Sequence, residues 1–174
     1  LGVSRPSAVS ATARTTSVVP GGRAGLAYAD VPAGAAFHEP VTLCGLRQNA
    51  NDRSNVAVIH AGTAGQGDVG LRLTVVSGDP AAPIRVTLPD VFLAPGGFSQ
   101  ISSILASNGL ALTNGYVQVE RIAGTAPFYA YAVINDQANS DGSFVPPFPA
   151  SRLAGRTGMT VPVIVETSTF QSEL

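Results

Sequence analysis

A chain of 174 residues allows one ordinary domain with extended flanking segments, and a hydrophobic share of 45% is enough to fill its core. Aromatics are only 6% and Trp is absent, so that core must come from Val, Leu, Ile and Ala. A net charge of −1, with ten Arg scattered singly against eleven acidic residues, argues against a nucleic-acid partner, and the lack of any Lys excludes P-loop, Schiff-base and kinase-type lysine chemistry as well as a Lys–Asn isopeptide crosslink.

Residues 1–22 have the low complexity of a flexible lead-in, but 8–19 contain β-branched residues and no Gly or Pro, so a strand fits there until Pro20-Gly-Gly22 breaks it. Residues 23–29 form a short candidate strand with Tyr28, 30–39 a loop, and 40–44 another strand. Cys44, the single cysteine, sits in an apolar stretch and reads as a buried small hydrophobe. A polar turn over 48–54 leads into a strand over 55–60, with Val56, Val58 and His60 on one face. Residues 69–76 show the clearest alternation: Val69, Leu71, Leu73 and Val75 face one way, Arg72 and Thr74 the other. Strands follow over 84–88 and 91–93. Phe98, Ile101, Ile104 and Leu105 then recur at three and four, which predicts one short helix over about 98–107, ended by Asn108-Gly109. Residues 115–122 and 127–135 alternate again and are expected to pair as a hairpin through 123–126. A polar turn over 136–142, a short strand over 143–145, a linker and a final strand over 160–174 complete the chain.

Many short strands with regular turn signals predict an all-β fold, an antiparallel immunoglobulin-like β-sandwich with extended terminal segments; a barrel is the alternative. The expected organisation is an N-terminal extension with strands over 1–40, whose residues 1–19 are a second candidate for pairing with a neighbouring copy, the sandwich over 41–147, a linker over 148–159 and a C-terminal strand over 160–174. The terminal strand has no local partner, so it closes its own sandwich, opens a further repeat or, as the leading expectation, completes the sheet of a neighbouring copy through Val161, Val163, Val165 and Phe170. The first residue is Leu1, with no Met or signal-type segment, as expected of a processed form or a fragment. No apolar run reaches the roughly 18 residues of a membrane span.

Several motifs carry a resemblance. They are the run Leu46-Arg-Gln-Asn-Ala-Asn-Asp-Arg-Ser-Asn-Val-Ala-Val-Ile-His60, then Leu93-Ala-Pro-Gly-Gly-Phe98, Gly115-Tyr116-Val117 with Val119-Glu120, and Pro127-Phe-Tyr-Ala-Tyr131. Asn135-Asp136 and Asp141-Gly-Ser-Phe-Val-Pro-Pro147 follow in the same order. Over roughly 41–147 the chain resembles the tandem immunoglobulin-like β-sandwich repeats of large secreted bacterial surface proteins. The resemblance implies an extracellular location and tandem repetition, and it carries no activity with it. Gln171-Ser-Glu-Leu174 echoes Arg53-Ser-Asn-Val56, as the opening of a further repeat would.

Candidate chemistry is sparse. Asp136, Asn139 and Asp141 on a Gly turn approach a calcium loop, but the regular register would need an acidic residue at Gln137, and a self-capped turn explains the same residues. Tyr116, Tyr129 and Tyr131 are a candidate sugar-stacking face, with ordinary cross-strand pairing as the alternative. His38 and His60 are the only histidines; no Gly-x-Ser-x-Gly elbow accompanies them, and their spacing with Cys44 matches no common zinc pattern. The expectation is a non-enzymatic structural subunit without cofactor. Its partners would be other copies of itself and surface glycans; the alternative is a carbohydrate- or protein-binding adhesin module.

Overall fold

In the computed structural model, residues 10–32, 34–158, 160–161, 163–169 and 172 are described. Period-2 patterning produces β3 (Val41–Leu46), β4 (Asp52–His60), β5 (Val69–Ser77), β6 (Arg85–Thr87), β7 (Val91–Leu93) and β8 (Phe98–Ile101). They are followed by β9 (Gly115–Ala123), β10 (Phe128–Asp136), β11 (Gly142–Val145) and β12 (Phe148–Pro149), and preceded by β1 (Thr12–Val19) and β2 (Gly22–Ala29). A four-stranded sheet in the order β11-β10-β4-β8 faces a six-stranded sheet, β12-β3-β9-β5-β6, with β7 also on β5, and every pairing is antiparallel. The fold is an all-β sandwich.

The core is aliphatic, as the composition requires. Val56, Val58 and Ala132 of one sheet meet Leu43, Leu71, Leu73, Val117 and Val119 of the other, and Phe128 is fully buried among them. Side chains between these inward positions point to the outer faces. A bulge in β3 between Leu43 and Leu46, where Gly45 takes φ 74°, returns Leu46 to the core.

Within the N-terminal extension, residues 12–29 form a built hairpin. Pro20 and Gly21 (φ 83°) form the turn between β1 and β2, with glycine at the position that needs a positive φ. Ala24 and Leu26 of β2 are buried, and Tyr28 meets Tyr131 and Phe144 edge-on at 5.7 and 5.9 Å. The hairpin therefore lies on the outer face of the four-stranded sheet.

Four expectations are corrected. Residues 98–107 are not a helix: β8 pairs with β4 (Ile59 opposite Phe98, Val56 opposite Ile101), and a tight turn then plugs Ile104 and Leu105 into the core before a 3-10 turn at Ala106–Asn108. A strand followed by a buried turn reproduces the three–four spacing of apolar residues. The short α-helical turn α1 (Ala150–Leu153) lies instead in the segment read as a linker. There Glu39 holds it, accepting from the Ser151 backbone N–H at 2.7 Å and hydroxyl at 2.6 Å.

β9 and β10 do not form a hairpin, because they belong to opposite sheets. Residues 124–127 cross the sandwich, and Arg121 Nη1 fixes that crossing by donating to the carbonyls of Thr125 (2.9 Å) and Ala126 (3.0 Å) and to His38 Nδ1 (3.1 Å). Cys44 is exposed, not buried, because strand alternation sends Val41 and Leu43 inward and Cys44 outward; partial desolvation still pushes its thiol pKa up. Of the segment expected as a final strand over 160–174, the described residues Val161, Val163 and Val165 are exposed and pair with no sheet of their own copy. Phe170 lies outside the described residues.

Candidate functional site

The outer face of the four-stranded sheet gathers the chemistry. Register places Arg53, Asn55, Ala57 and Ile59 of β4 beside Asn135, Val133, Tyr131 and Tyr129 of β10, with Gln100 and Phe98 of β8 on the far side. The β1–β2 hairpin covers only part of this face. β2 packs down through Leu26 and Tyr28, while β1 overhangs, and a cleft of about 280 Å³ remains beneath it.

The roof of the cleft is made by Thr15, Thr16 and Ser17, and its floor includes Arg53, Asn55, Gln100 and Asn135. Asn55 Nδ2 donates to Asn135 Oδ1 at 2.8 Å, and the Ser103 backbone N–H donates to Asn55 Oδ1 at 2.8 Å, so both amides are held in place. Gln100 Nε2 donates to the Ser102 hydroxyl at 3.2 Å, which leaves its carbonyl oxygen open. Arg53 differs from these: among the described residues its buried Nε has no hydrogen-bond partner, and no carboxylate lines the cleft.

The aromatic residues continue this face. Tyr131 stacks on Phe144 at 5.5 Å, and Tyr129 stacks on Phe37 at 5.7 Å. Burial pushes both tyrosine hydroxyls above their ordinary pKa, with Tyr28 and then Tyr129 adding to the effect at Tyr131. Tyr129 and Tyr131 thus share a surface, as the sequence suggests. Tyr116 does not join them: it lies on β9, opposite Val76 in the six-stranded sheet.

The other candidates have structural partners. Asp136 Oδ1 accepts from the backbone N–H groups of Ala138 (2.6 Å) and Asn139 (3.1 Å), Asn139 Oδ1 from that of Asp141 (2.7 Å), and Asp141 Oδ1 from that of Gly25 (3.2 Å). The nominated calcium-loop oxygens therefore shape a turn and tie it to the hairpin. His60 is buried, with Nδ1 accepting from the Gly62 N–H at 3.1 Å and Nε2 2.8 Å from the Gly67 carbonyl, which fits the tautomer protonated on Nε2. Among the described residues no three His, Cys, Asp or Glu side chains gather where a metal ion could sit, and no helix is long and apolar enough to cross a membrane.

Sequence reasoning missed Arg53, Asn55, Gln100 and Asn135 as a group. Their alternation marks each as outward-facing, but the signal for the cleft is the overhanging hairpin, which composition disguises as a lead-in.

The class of molecule defined here is a small antiparallel β-sandwich carrying a β-hairpin across one outer face. No protein family matches the chain, and comparison with curated proteins and with solved structures likewise finds no match.

Proposed function

We propose that the chain is a non-enzymatic structural module of an extracellular bacterial fibre or surface layer, joined to copies of itself by β-strand addition. One observation carries this reading. Val161, Val163, Ile164 and Val165 are 52%, 67%, 59% and 41% exposed, and among the described residues these four belong to no sheet of their own sandwich. Burying side chains of that size contributes about 1 kcal/mol or more each, so a partner edge would capture the segment with a useful gain.

Such an edge is available. Among the described residues β1 pairs only with β2, all its residues but Val19 are exposed, and Arg14 is its one charge. Charged side chains are the usual guard against edge pairing, and β1 is poorly guarded. The pairings β3-β9-β5 and β4-β10-β11 follow the B-E-D and C-F-G order of immunoglobulin sandwiches, which supports the immunoglobulin-like reading and, with it, the surface-repeat resemblance. Light scattering and electron microscopy of the intact chain, beside a form ending at residue 159, test the proposal. Concentration-dependent assemblies are expected of the intact chain only. A monomer at every concentration, or equal assembly without residues 160–174, contradicts it.

A second reading, an adhesin module for carbohydrate or protein, is favoured by Tyr129 and Tyr131 sharing one outer face beside the polar cleft.

A further inference from the structure

We propose that the cleft under β1 is a binding site for an acidic sugar, a hexuronate-type unit whose carboxylate is held by Arg53. The inference deepens the adhesin reading and is independent of assembly through residues 160–174.

The argument starts from Arg53. A guanidinium is always charged, and leaving a buried N–H of a charged group without an acceptor is costly. Here Nε has none, and among the described residues Arg53 makes no ion pair. Elsewhere the same protein shows what such a side chain takes when an acid is present: Arg72 grips Asp90 through Nε and Nη2, both at 3.0 Å. A carboxylate arriving in the cleft would supply Arg53 with that fork-shaped contact once the side chain turns its Nε edge toward the ligand.

The charge count selects the anion. Among the described residues Arg53 is the one cation lining the cleft, no carboxylate opposes it, and no helix N-terminus lines it. One guanidinium balances a monocarboxylate, whereas a phosphate dianion would remain half-neutralised. The remaining wall selects the body of the ligand. Ser17 and Thr15 hydroxyls above, with Gln100 and the fixed Asn55–Asn135 amide pair below, both donate and accept, which suits a ring bearing several hydroxyls. Tyr28 and Tyr131 line one end and give it apolar ring surface for the C–H side of such a ring. The volume of about 280 Å³ sits at the small end of ligand sites and fits a single unit better than a chain.

The test is a titration of the isotope-labelled intact chain with sodium glucuronate, glucose and inorganic phosphate, read by amide NMR shifts. Glucuronate is expected to move the Asn55, Gln100 and Thr15 resonances saturably, with glucose at least about tenfold weaker. Arg53→Gln should weaken glucuronate binding at least about tenfold while leaving glucose unchanged, and Arg53→Lys should fall between, since it keeps the charge and loses the fork. The amide spectrum of each variant reports whether it is folded, and Gln100→Leu, away from the arginine, gives an independent loss of binding. No saturable shift with glucuronate overturns the proposal. Equal binding of glucose overturns the role of Arg53, and tighter binding of phosphate reduces the cleft to a simple anion site.

Discussion

Replacing Ser54 by alanine isolates one polar clamp at the edge of the core. Ser54 is fully buried, and its hydroxyl makes two contacts with the same residue: it accepts from the Arg47 N–H at 2.9 Å and donates to the Arg47 carbonyl at 2.8 Å. The clamp ties the turn after β3 to the start of β4, next to Arg53. Alanine leaves both Arg47 backbone groups without that partner. A buried unsatisfied group costs about 1–3 kcal/mol, and the part-buried surroundings of Arg47 let water soften the loss, so about 1 kcal/mol for each is appropriate. The expected destabilisation is about 2 kcal/mol, or about 4–8 °C in melting temperature for a chain of this size. Urea titration followed by far-UV circular dichroism measures it, with an unchanged m-value showing that only stability has moved. Ser77→Ala is the control: its hydroxyl accepts from the Asp79 N–H at 3.1 Å at an exposed site, and its loss should stay within about 0.5 kcal/mol. If Ser54→Ala is as mild as that control, the clamp does not hold the turn and the reasoning fails.

Three further outcomes follow from the geometry. Gly124→Ala should cost more than about 2 kcal/mol in the same titration, because φ is 76° and a β-carbon there would collide with the Asp68 carbonyl oxygen; near-native stability would refute the crossing between sheets. The Arg72 hydrogen bond lowers the Asp90 pKa, and the Ser151 hydroxyl and then its N–H lower that of Glu39. Both carboxylates therefore stabilise the fold above the ordinary carboxylate range and lose that contribution as pH falls through their lowered values. Asp90→Asn with Glu39→Gln should flatten the acid limb of a melting-temperature profile, and an unchanged slope would contradict this. Desolvation raises the Cys44 thiol, so its alkylation by iodoacetamide should reach half-maximal rate above the free-thiol value of about 8.5, and stability should decline as pH rises through that range. A midpoint at or below that value would contradict the packing around β3.

Where a strand has one buried and one solvated face, the sequence made it readable. Val69, Leu71, Leu73 and Val75 are all buried, with Arg72 exposed between them, and the alternations over 115–122 and 127–135 became β9 and β10 with bounds shifted by a residue or so. What alternation does not encode is the partner. The segment between β9 and β10 reads as a hairpin because Gly-Thr-Ala permits a tight turn, yet Arg121 and the close approach of Gly124 to Asp68 use the same residues for a crossing between sheets. The window from Phe98 to Leu105 misled for a related reason, since two buried residues in a turn completed a helix-like spacing that a strand had begun. The tyrosine face was half legible: parity put Tyr129 and Tyr131 together, but placing Tyr116 with them required the hairpin that does not form. The cleft was not legible at all, because Thr15 and Ser17 come from a segment whose composition hides its pairing, and because the approach of the hairpin to Asn55 and Gln100 is wholly non-local.

The central claim is that residues 160–169 of one copy join the free edge of β1 in another. Cysteines placed at Thr16 in one population and at Ile164 in a second, both with Cys44→Ser, test it most directly when the two are mixed and mildly oxidised. The account predicts a covalent heterodimer formed between copies, growing with concentration and absent when the second cysteine is moved to exposed Ser151. Only unlinked monomer, or equal crosslinking from position 151, would contradict it.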